Sequence, residues 1–177
     1  MIISIKEAKE QVDVLGLKWN DAKIQRKLNS IESTIRNYCN NNFQNRNIRC
    51  ISSIKDGILC NVHPVMKMGD TIQISGSKYN NGLYVLKESE KGLIITEDLL
   101  IDEENVIVTK IEYPADIVDC CFDIMEWESE IREKVGIQSE TISRHSVTYF
   151  NQDSSNTVEG YPISLFDKCK KYRKARC

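Results

Sequence analysis

Residues 69–86 read GDTIQISGSKYNNGLYVL, and this stretch decides which fold the chain can adopt. Apolar and polar residues alternate on both sides of a turn-rich centre, and that period of two is typical of β-strands. Asn81-Gly82 is the strongest hairpin signal, because both residues tolerate a positive φ. We predict two strands, with residues 76–82 as the turn between them rather than as a substrate or nucleic-acid loop.

The period of two extends outward from this hairpin, from about residue 48 to about residue 113. Asp56-Gly57, Gly69-Asp70 and Lys91-Gly92 mark turns between the apolar runs. Five short strands in so short a segment favour a small curled sheet or barrel. The predicted strands are 58–62, 71–75, 83–86, 92–96 and 106–111.

Two helices precede this segment. Ser4 and Glu7 have the spacing of a capping box, which predicts a helix to about Leu15 with Gly16 as its stop. Asn20-Asp21 begins a second helix, which ends at asparagines 40–42. Its apolar residues recur at helical spacing and form one stripe: Ile24, Leu28, Ile31, Ile35 and Tyr38.

Helical spacing returns after the β segment. Pro114 suits the first turn of a helix, and Gly136 should end that helix. A polar stretch follows at 138–144, then a strand-like run at 146–150 and a loop rich in Asn, Ser and Asp at 151–159. Pro162 begins a last helix, with an apolar side and a basic side.

These patterns predict an α+β fold: a small helical bundle of about four helices with an inserted five-stranded antiparallel β module. Residues 1–47 and 113–177 would form the helical domain, and residues 48–112 the inserted β domain. The helices on either side of the insertion each have an apolar face that needs a partner, so we expect them to pack on one another.

The composition is that of an ordinary globular protein, with 41% hydrophobic and 28% charged residues and a net charge of −2. The whole chain therefore has no electrostatic reason to bind nucleic acid. The opening MIISIKEAKEQ lacks the apolar block of a signal peptide, and no apolar run is long enough to cross a bilayer, so we expect no membrane partner. Seven scattered cysteines without a CxxC pair are typical of free thiols in a reducing cytoplasm.

The residues offer no recognisable catalytic or metal site. His63 and His145 have no second ligand at a metal spacing, and there is no GxSxG motif or glycine-rich phosphate loop. Acidic residues cluster at Asp98 and 102–104, where a solvated loop is a simpler explanation than acid–base chemistry or calcium binding. We predict a non-enzymatic protein with no catalytic residue, cofactor or metal.

The end of the sequence is basic. Its residues could neutralise phosphates, meet an acidic protein surface, or simply form a solvated helix face that complements the helix dipole. The positive charges are Lys168, Lys170, Lys171, Arg173, Lys174 and Arg176.

Three passages together resemble the head-tail connector (adaptor) family of tailed bacteriophages. Residues 5–40 resemble its first two helices, and residues 136–149, GIQSETISRHSVTY, resemble its passage G-[IV]-x-S-E-x-I-x-x-x-S-[VI]-x-Y. Residues 160–173, GYPISLFDKCKKYR, resemble its last helix, although Cys169 stands where leucine is more usual. The three passages occur in the family's order and cover most of the chain outside the β segment.

The resemblance implies a structural virion protein that forms a ring, typically twelve-fold, between the portal and the tail. The ring would extend the DNA channel and complete the head, and the protein would be made in the host cytoplasm and act in the virion neck. Its partners would be further copies of the chain, the portal protein, a downstream neck or tail-terminator protein, and genomic DNA passing through the channel.

The resemblance also implies which residues make these contacts. The portal-facing residues would be Lys168, Lys170, Lys171, Tyr172, Arg173, Lys174 and Arg176. The channel or subunit surface would include Ser139, Glu140, Arg144 and Tyr149. We add the hypothesis that the acidic helix after Pro114 meets the basic end of a neighbouring copy, in a head-to-tail contact that closes a ring.

Three other interpretations stay open. The β module could act as an OB-like barrel that binds nucleic acid, although it is not basic and offers only Tyr79, Tyr84 and Tyr113 as aromatic platforms. The chain could be an enzyme with an unfamiliar site, or a different neck or tail-completion protein.

Overall fold

The fold is α+β, as predicted, in a computed structural model that describes residues 2–15, 19–88, 94–96, 98–130, 139–142, 145–148 and 156–175. The chain divides into two compact units. Met1–Asn41 and Pro114–Cys177 form a helical unit, and Asn42–Tyr113 form a β unit. The predicted boundaries were residues 48 and 112. The first strand begins earlier, at Gln44, and the prediction missed this part of the strand because it is polar.

The helical unit contains four helices among the described residues: α1 (Ile5–Val14), α2 (Asp21–Cys39), α3 (Ala115–Glu130) and a 3₁₀ helix (Ile163–Tyr172). The predicted capping box of α1 is confirmed, because the Glu7 amide donates to Ser4 Oγ at 3.2 Å and the Ser4 amide donates to Glu7 Oε2 at 2.8 Å. Asn20 caps α2, and Asn40 ends it in the left-handed conformation (φ 45°). The predicted stops at Gly16 and Gly136 lie outside the described residues.

The helices pack through the stripe predicted for α2, since Ile24, Leu28, Ile31 and Ile35 are all buried. Ile117, Cys120, Cys121 and Ile124 of α3 are buried as well. An aromatic cluster completes this core, with ring centroids 4.9 Å apart for Tyr38 and Phe166, 6.4 Å for Tyr161 and Phe166, and 5.5 Å for Trp127 and Tyr161.

The β unit is a closed antiparallel barrel of six strands with the order β1-β2-β5-β4-β3-β6. Its strands are β1 (Gln44–Lys55), β2 (Ile58–Leu59), β3 (Thr71–Ser75), β4 (Gly82–Glu88), β5 (Ile94–Thr96) and β6 (Glu103–Ile111). Side chains fill the barrel, so its interior is a packed core. They are Ile54, Leu59, Met66, Ile72, Ile74, Leu86, Leu100, Val106 and Val108.

The strand count differs from the predicted five because β1 was missed. Its first half, QNRNIR, lacks the alternation of a half-buried strand, and its pairing with β6 holds it in the sheet. The predicted strand at 58–62 is wrong beyond Leu59, and the one at 92–96 is described only from Ile94.

The hairpin of β3 and β4 forms as predicted, but the reason given for its turn is wrong. Of the residues 76–82, only Gly76 has a positive φ (71°). In the barrel, two consecutive positive φ values occur instead at Asp56-Gly57 (52° and 75°), a turn that joins β1 to β2 through the Lys55–Ile58 pair.

Two short hairpins belong to the helical unit. The polar stretch predicted at 138–144 contains a strand, β7 (Ser139–Ile142), which pairs with β8 (His145–Thr148). The loop predicted at 151–159 is described only from residue 156, where β9 (Thr157–Val158) pairs with β10 (Tyr161–Pro162). The helix predicted from Pro162 begins at Ile163 and is a 3₁₀ helix. Among the described residues, none of the helices combines the length and apolarity that a membrane span requires.

Candidate protein-interaction surfaces

The basic end of the chain lies against acidic residues of the same chain. The 3₁₀ helix buries Phe166 and Cys169 and presents Lys168 to α3. Lys168 Nζ pairs with Asp119 and also donates to Asp123 Oδ2 at 2.7 Å. These two hydrogen bonds, with Asp119 the stronger influence, raise the pKa of Lys168 above its usual range. Lys168 is thus held by two carboxylates one helical turn apart.

Asp116 holds the next part of the segment. Lys171 Nζ lies 2.5 Å from Asp116 Oδ2, and the Tyr172 hydroxyl donates to the same oxygen at 2.8 Å. The Lys171 hydrogen bond, followed by that of Tyr172, lowers the pKa of Asp116. Lys170 pairs within the 3₁₀ helix, with its Nζ 2.7 Å from Asp167 Oδ1. Exposed pairs of this kind each contribute roughly 0–1 kcal/mol, so together they orient the segment more than they stabilise it.

The residues after the 3₁₀ helix are held by the end of α2. The Arg173 guanidinium lies 5.0 Å from the Tyr38 ring centroid, and the Lys174 amide donates to the Cys39 carbonyl at 2.8 Å. Asn41 Nδ2 donates to the Tyr172 carbonyl at 3.1 Å. Arg176 lies outside the described residues. The segment therefore has a defined path over the helical unit, with Arg173 and Lys174 exposed at its end.

This arrangement changes the interpretation of the charge asymmetry. The acids of α3 and the basic segment, which we assigned to neighbouring copies, meet within one chain. Asp116, Asp119 and Asp123 are three or four residues apart and therefore share one face of α3. That spacing was present in the sequence, but sequence alone did not indicate which cations would face it.

A shallow groove lies beside these pairs on α3. Its volume is about 480 Å³, and apolar and acidic side chains line it together. The lining residues are Ala115, Asp116, Val118, Asp119 and Phe122.

The second predicted surface lies only partly within the described residues. Ser139 pairs with Thr148 and Glu140 with Val147 in the β7–β8 hairpin. Arg144 and Tyr149 lie outside the described part of the chain. The described part of this surface therefore consists of Ser139 and Glu140, two neighbouring residues of β7.

Three buried thiols lie under the basic segment. Cys169 Sγ is 3.3 Å from Cys120 Sγ, and Cys39 Sγ donates to the Cys169 carbonyl at 3.6 Å. The hydrogen bond with Cys120 is the main cause that raises the pKa of Cys169 to about 12, and burial raises that of Cys121 to about 12. With pKa values raised this far, Cys169 and Cys121 stay protonated at neutral pH and act as core residues.

The other chemical candidates have ordinary structural contacts. His63 Nδ1 accepts from the Val65 amide at 3.3 Å within a turn, and His145 lies in β8. No group of three or more His, Cys, Asp or Glu residues in the described ranges is arranged to hold a metal ion.

Polar contacts shape one end of the barrel. Gln44 and Ile111 are paired, so the chain enters and leaves the barrel at the same end. The opposite end, which we call the distal end, consists of Asp56, Gly57 and residues 76–81 and 98–102. Buried Asn80 joins two of these loops, because its Nδ2 donates to the Ile101 carbonyl and its Oδ1 accepts from the Ile101 amide, both at 2.9 Å.

Glu103, the first residue of β6, is hydrogen-bonded to the loop of residues 76–81. Its carboxylate accepts hydrogen bonds from the Ser77 hydroxyl, from the Lys78 amide at 2.6 Å and from Asn80 Nδ2 at 3.0 Å. Asp102 Oδ1 accepts from the Asp56 amide at 2.8 Å and attaches the β1–β2 turn. The distal end is therefore preorganised by hydrogen bonds between its three loops.

Glu103→Gln should destabilise the fold relative to wild type, and this loss should be larger near neutral pH than in acid. The Ser77 hydroxyl and the Lys78 amide hold the pKa of Glu103 below its ordinary value of 4.5. A lowered carboxyl pKa stabilises the fold above the ordinary pKa, and this contribution is lost as the pH falls through the folded-state value. Thermal unfolding should show a variant several degrees less stable at about pH 7, with the gap narrowing toward about pH 3.

Glu104→Gln is the matched control for this prediction, because Glu104 is an exposed neighbour on the same strand. It should leave the unfolding temperature nearly unchanged at both pH values. An equal loss for Glu103→Gln at both pH values would show that the carboxylate charge is not what holds the loops.

Comparison of the sequence with models of known families and with curated proteins gives no match.

Proposed function

We propose that the chain is a non-enzymatic head-tail connector of a tailed bacteriophage, a ring subunit between the portal and the tail. The observation that carries this proposal is the location of the three connector-like passages. Residues 5–40, 136–149 and 160–173 all belong to the helical unit, while the barrel is a separate unit inserted between them. A connector domain carrying an insertion would have this organisation.

The position of the basic segment on α3 supports a contact with the portal and indicates which of its residues would make that contact. Lys168 and Lys171 are engaged by α3, so their first role is to fix the segment on its own subunit. Lys170, Arg173 and Lys174 remain exposed along it and would face the portal protein. Ser139 and Glu140 would lie at the channel or subunit surface. In a ring, the groove beside α3 would receive part of a neighbouring copy.

The nucleic-acid alternative receives less support from the barrel. Residues 42–113 contain eight Lys and Arg against ten Asp and Glu, so the unit does not attract phosphates as a whole. Tyr84 is half-buried, with its hydroxyl donating to the Asn80 carbonyl at 3.2 Å, which leaves few exposed rings for base stacking.

The test is removal of this gene from the phage genome that carries it, with electron microscopy of the lysate. Separate tails, and heads that lose DNA, are expected, and wild-type protein supplied in trans should restore joined particles. Lys170→Glu/Lys174→Glu should fail to restore them, whereas the control Lys55→Glu/Lys87→Glu on the barrel should succeed. Normal particles without the gene would refute the connector role, and full heads without tails would indicate a tail protein.

A further inference from the structure

The distal end of the barrel combines exposed apolar side chains with a rigid frame. Leu99, Tyr79 and Ile101 are 91%, 58% and 56% exposed. Large apolar side chains that are exposed singly are common, but three on adjoining loops form a patch of the kind that marks interaction sites. Among the described barrel residues, Ile51, Val65 and Met68 are also strongly exposed, but Ile51 pairs with Ile107 in the barrel wall, and Val65 and Met68 lie in the segment between β2 and β3.

The three loops that carry this patch are fixed before any partner arrives. Asn80 is only 3% exposed and holds the backbone of Ile101, while the side chain of Ser77 lies within the Glu103 network. Leu99 lies over the β1–β2 turn, and a Cβ added to Gly57 would be 3.2 Å from Leu99 Cδ1. A preorganised surface loses less conformational entropy on binding than a flexible loop does, so this end of the barrel is suited to binding a partner.

The charges around the patch are mostly negative. Asp56, Asp98, Asp102, Glu103 and Glu104 lie at or beside the distal end, and the only described cations there are Lys55 and Lys78. Lys78 is itself directed to Tyr79, with its Nζ 4.9 Å from the ring centroid. An apolar centre with an acidic rim complements a protein surface that has apolar side chains ringed by Lys or Arg, and it repels nucleic acid.

We infer that the distal end of the barrel is a docking surface for a second protein, through a segment of apolar side chains flanked by basic residues. Leu99 and Ile101 are the apolar contacts, and Asp98 and Glu104 supply the attraction at the rim. Asn80 and Glu103 are positioning residues, because they hold the loops and do not themselves contact the partner. The inference is independent of the role proposed for the helical unit.

The test uses the full chain and a library of random displayed peptides about twelve residues long, selected at low salt. The enriched peptides should combine Leu, Phe or Trp with Lys or Arg. A synthetic copy of one of them should bind Leu99→Ser/Ile101→Ser at least about tenfold more weakly than wild type. The matched control, Ile51→Ser/Val65→Ser, removes two exposed apolar residues elsewhere on the barrel and should leave the affinity unchanged.

Two further measurements separate this result from a folding defect. Hydrogen exchange on the wild-type chain should show protection by the peptide at residues 76–81 and 98–102. Asp98→Asn/Glu104→Gln should weaken binding several-fold and reduce its salt dependence, because exposed charges are screened. Failure to enrich any peptide, enrichment without Lys or Arg, equal binding to Leu99→Ser/Ile101→Ser, or protection elsewhere on the chain would overturn the inference.

Discussion

Replacing Phe166 with alanine should lower the free energy of unfolding of the helical unit by about 3–5 kcal/mol. Phe166 is fully buried and lies against the rings of Tyr38 and Tyr161. The loss combines the transfer free energy of the ring with the cavity that remains. Phe166 and Cys169 are the buried residues of the 3₁₀ helix, so the same change should also loosen the basic segment from α3.

Urea unfolding followed by tryptophan fluorescence measures this effect on one unit alone. Both tryptophans, Trp19 and Trp127, belong to the helical unit, and none lies in residues 42–113. Tyr79→Ala is the matched control, since it removes an exposed aromatic ring from the barrel and should change the tryptophan signal's midpoint little. A loss of less than about 1.5 kcal/mol for Phe166→Ala would mean that the 3₁₀ helix is not anchored through this ring.

Replacing Lys27 with methionine should cost the helical unit about 3 kcal/mol. Lys27 Nζ lies 2.5 Å from Glu128 Oε2, and the Glu128 side chain is only 2% exposed. The Tyr161 hydroxyl donates to the other oxygen at 2.7 Å. Removing the ammonium takes a closely paired cation away from a buried carboxylate, and that penalty exceeds the loss of an ordinary surface pair.

A double-mutant cycle distinguishes this explanation from a simple loss of packing. Lys27→Met combined with Glu128→Gln should recover part of the stability, because the neutral amide can still accept from Tyr161 and needs no countercharge. Arg26→Met changes an exposed neighbour on α2 and should cost less than about 0.5 kcal/mol. If the double variant were no more stable than Lys27→Met, the cost of losing Lys27 would not come from the buried charge of Glu128.

These two predictions concern the frame on which the proposed portal contact depends. Lys27 and Glu128 join α2 to α3, and Phe166 joins the 3₁₀ helix to the core between them. The acids of α3 can hold Lys168 and Lys171 only while this packing persists. A stability loss at either position should therefore also reduce connector assembly, without changing any residue of the contact itself.

The helix starts and the central hairpin could be predicted because their causes are local. The Ser4–Glu7 capping box, the buried stripe of α2 and strand β3 at Thr71–Ser75 all depend on neighbours within a few residues. Caps and amphipathic periods act over one or two turns, so the sequence contains them directly. The α+β class follows from these elements and is confirmed.

The sequence by itself determined where α1 and α2 begin, that a β segment interrupts the helices, and which helix faces are apolar. The tertiary structure alone decided that the polar strand β1 closes the barrel, that the acids of α3 hold the basic segment of the same chain, and that buried Glu128 meets Lys27. The physical reason is that a strand edge or a charge is satisfied by whatever the folded chain brings beside it. Lys27 and Glu128 are 101 residues apart, and no local pattern encodes that distance.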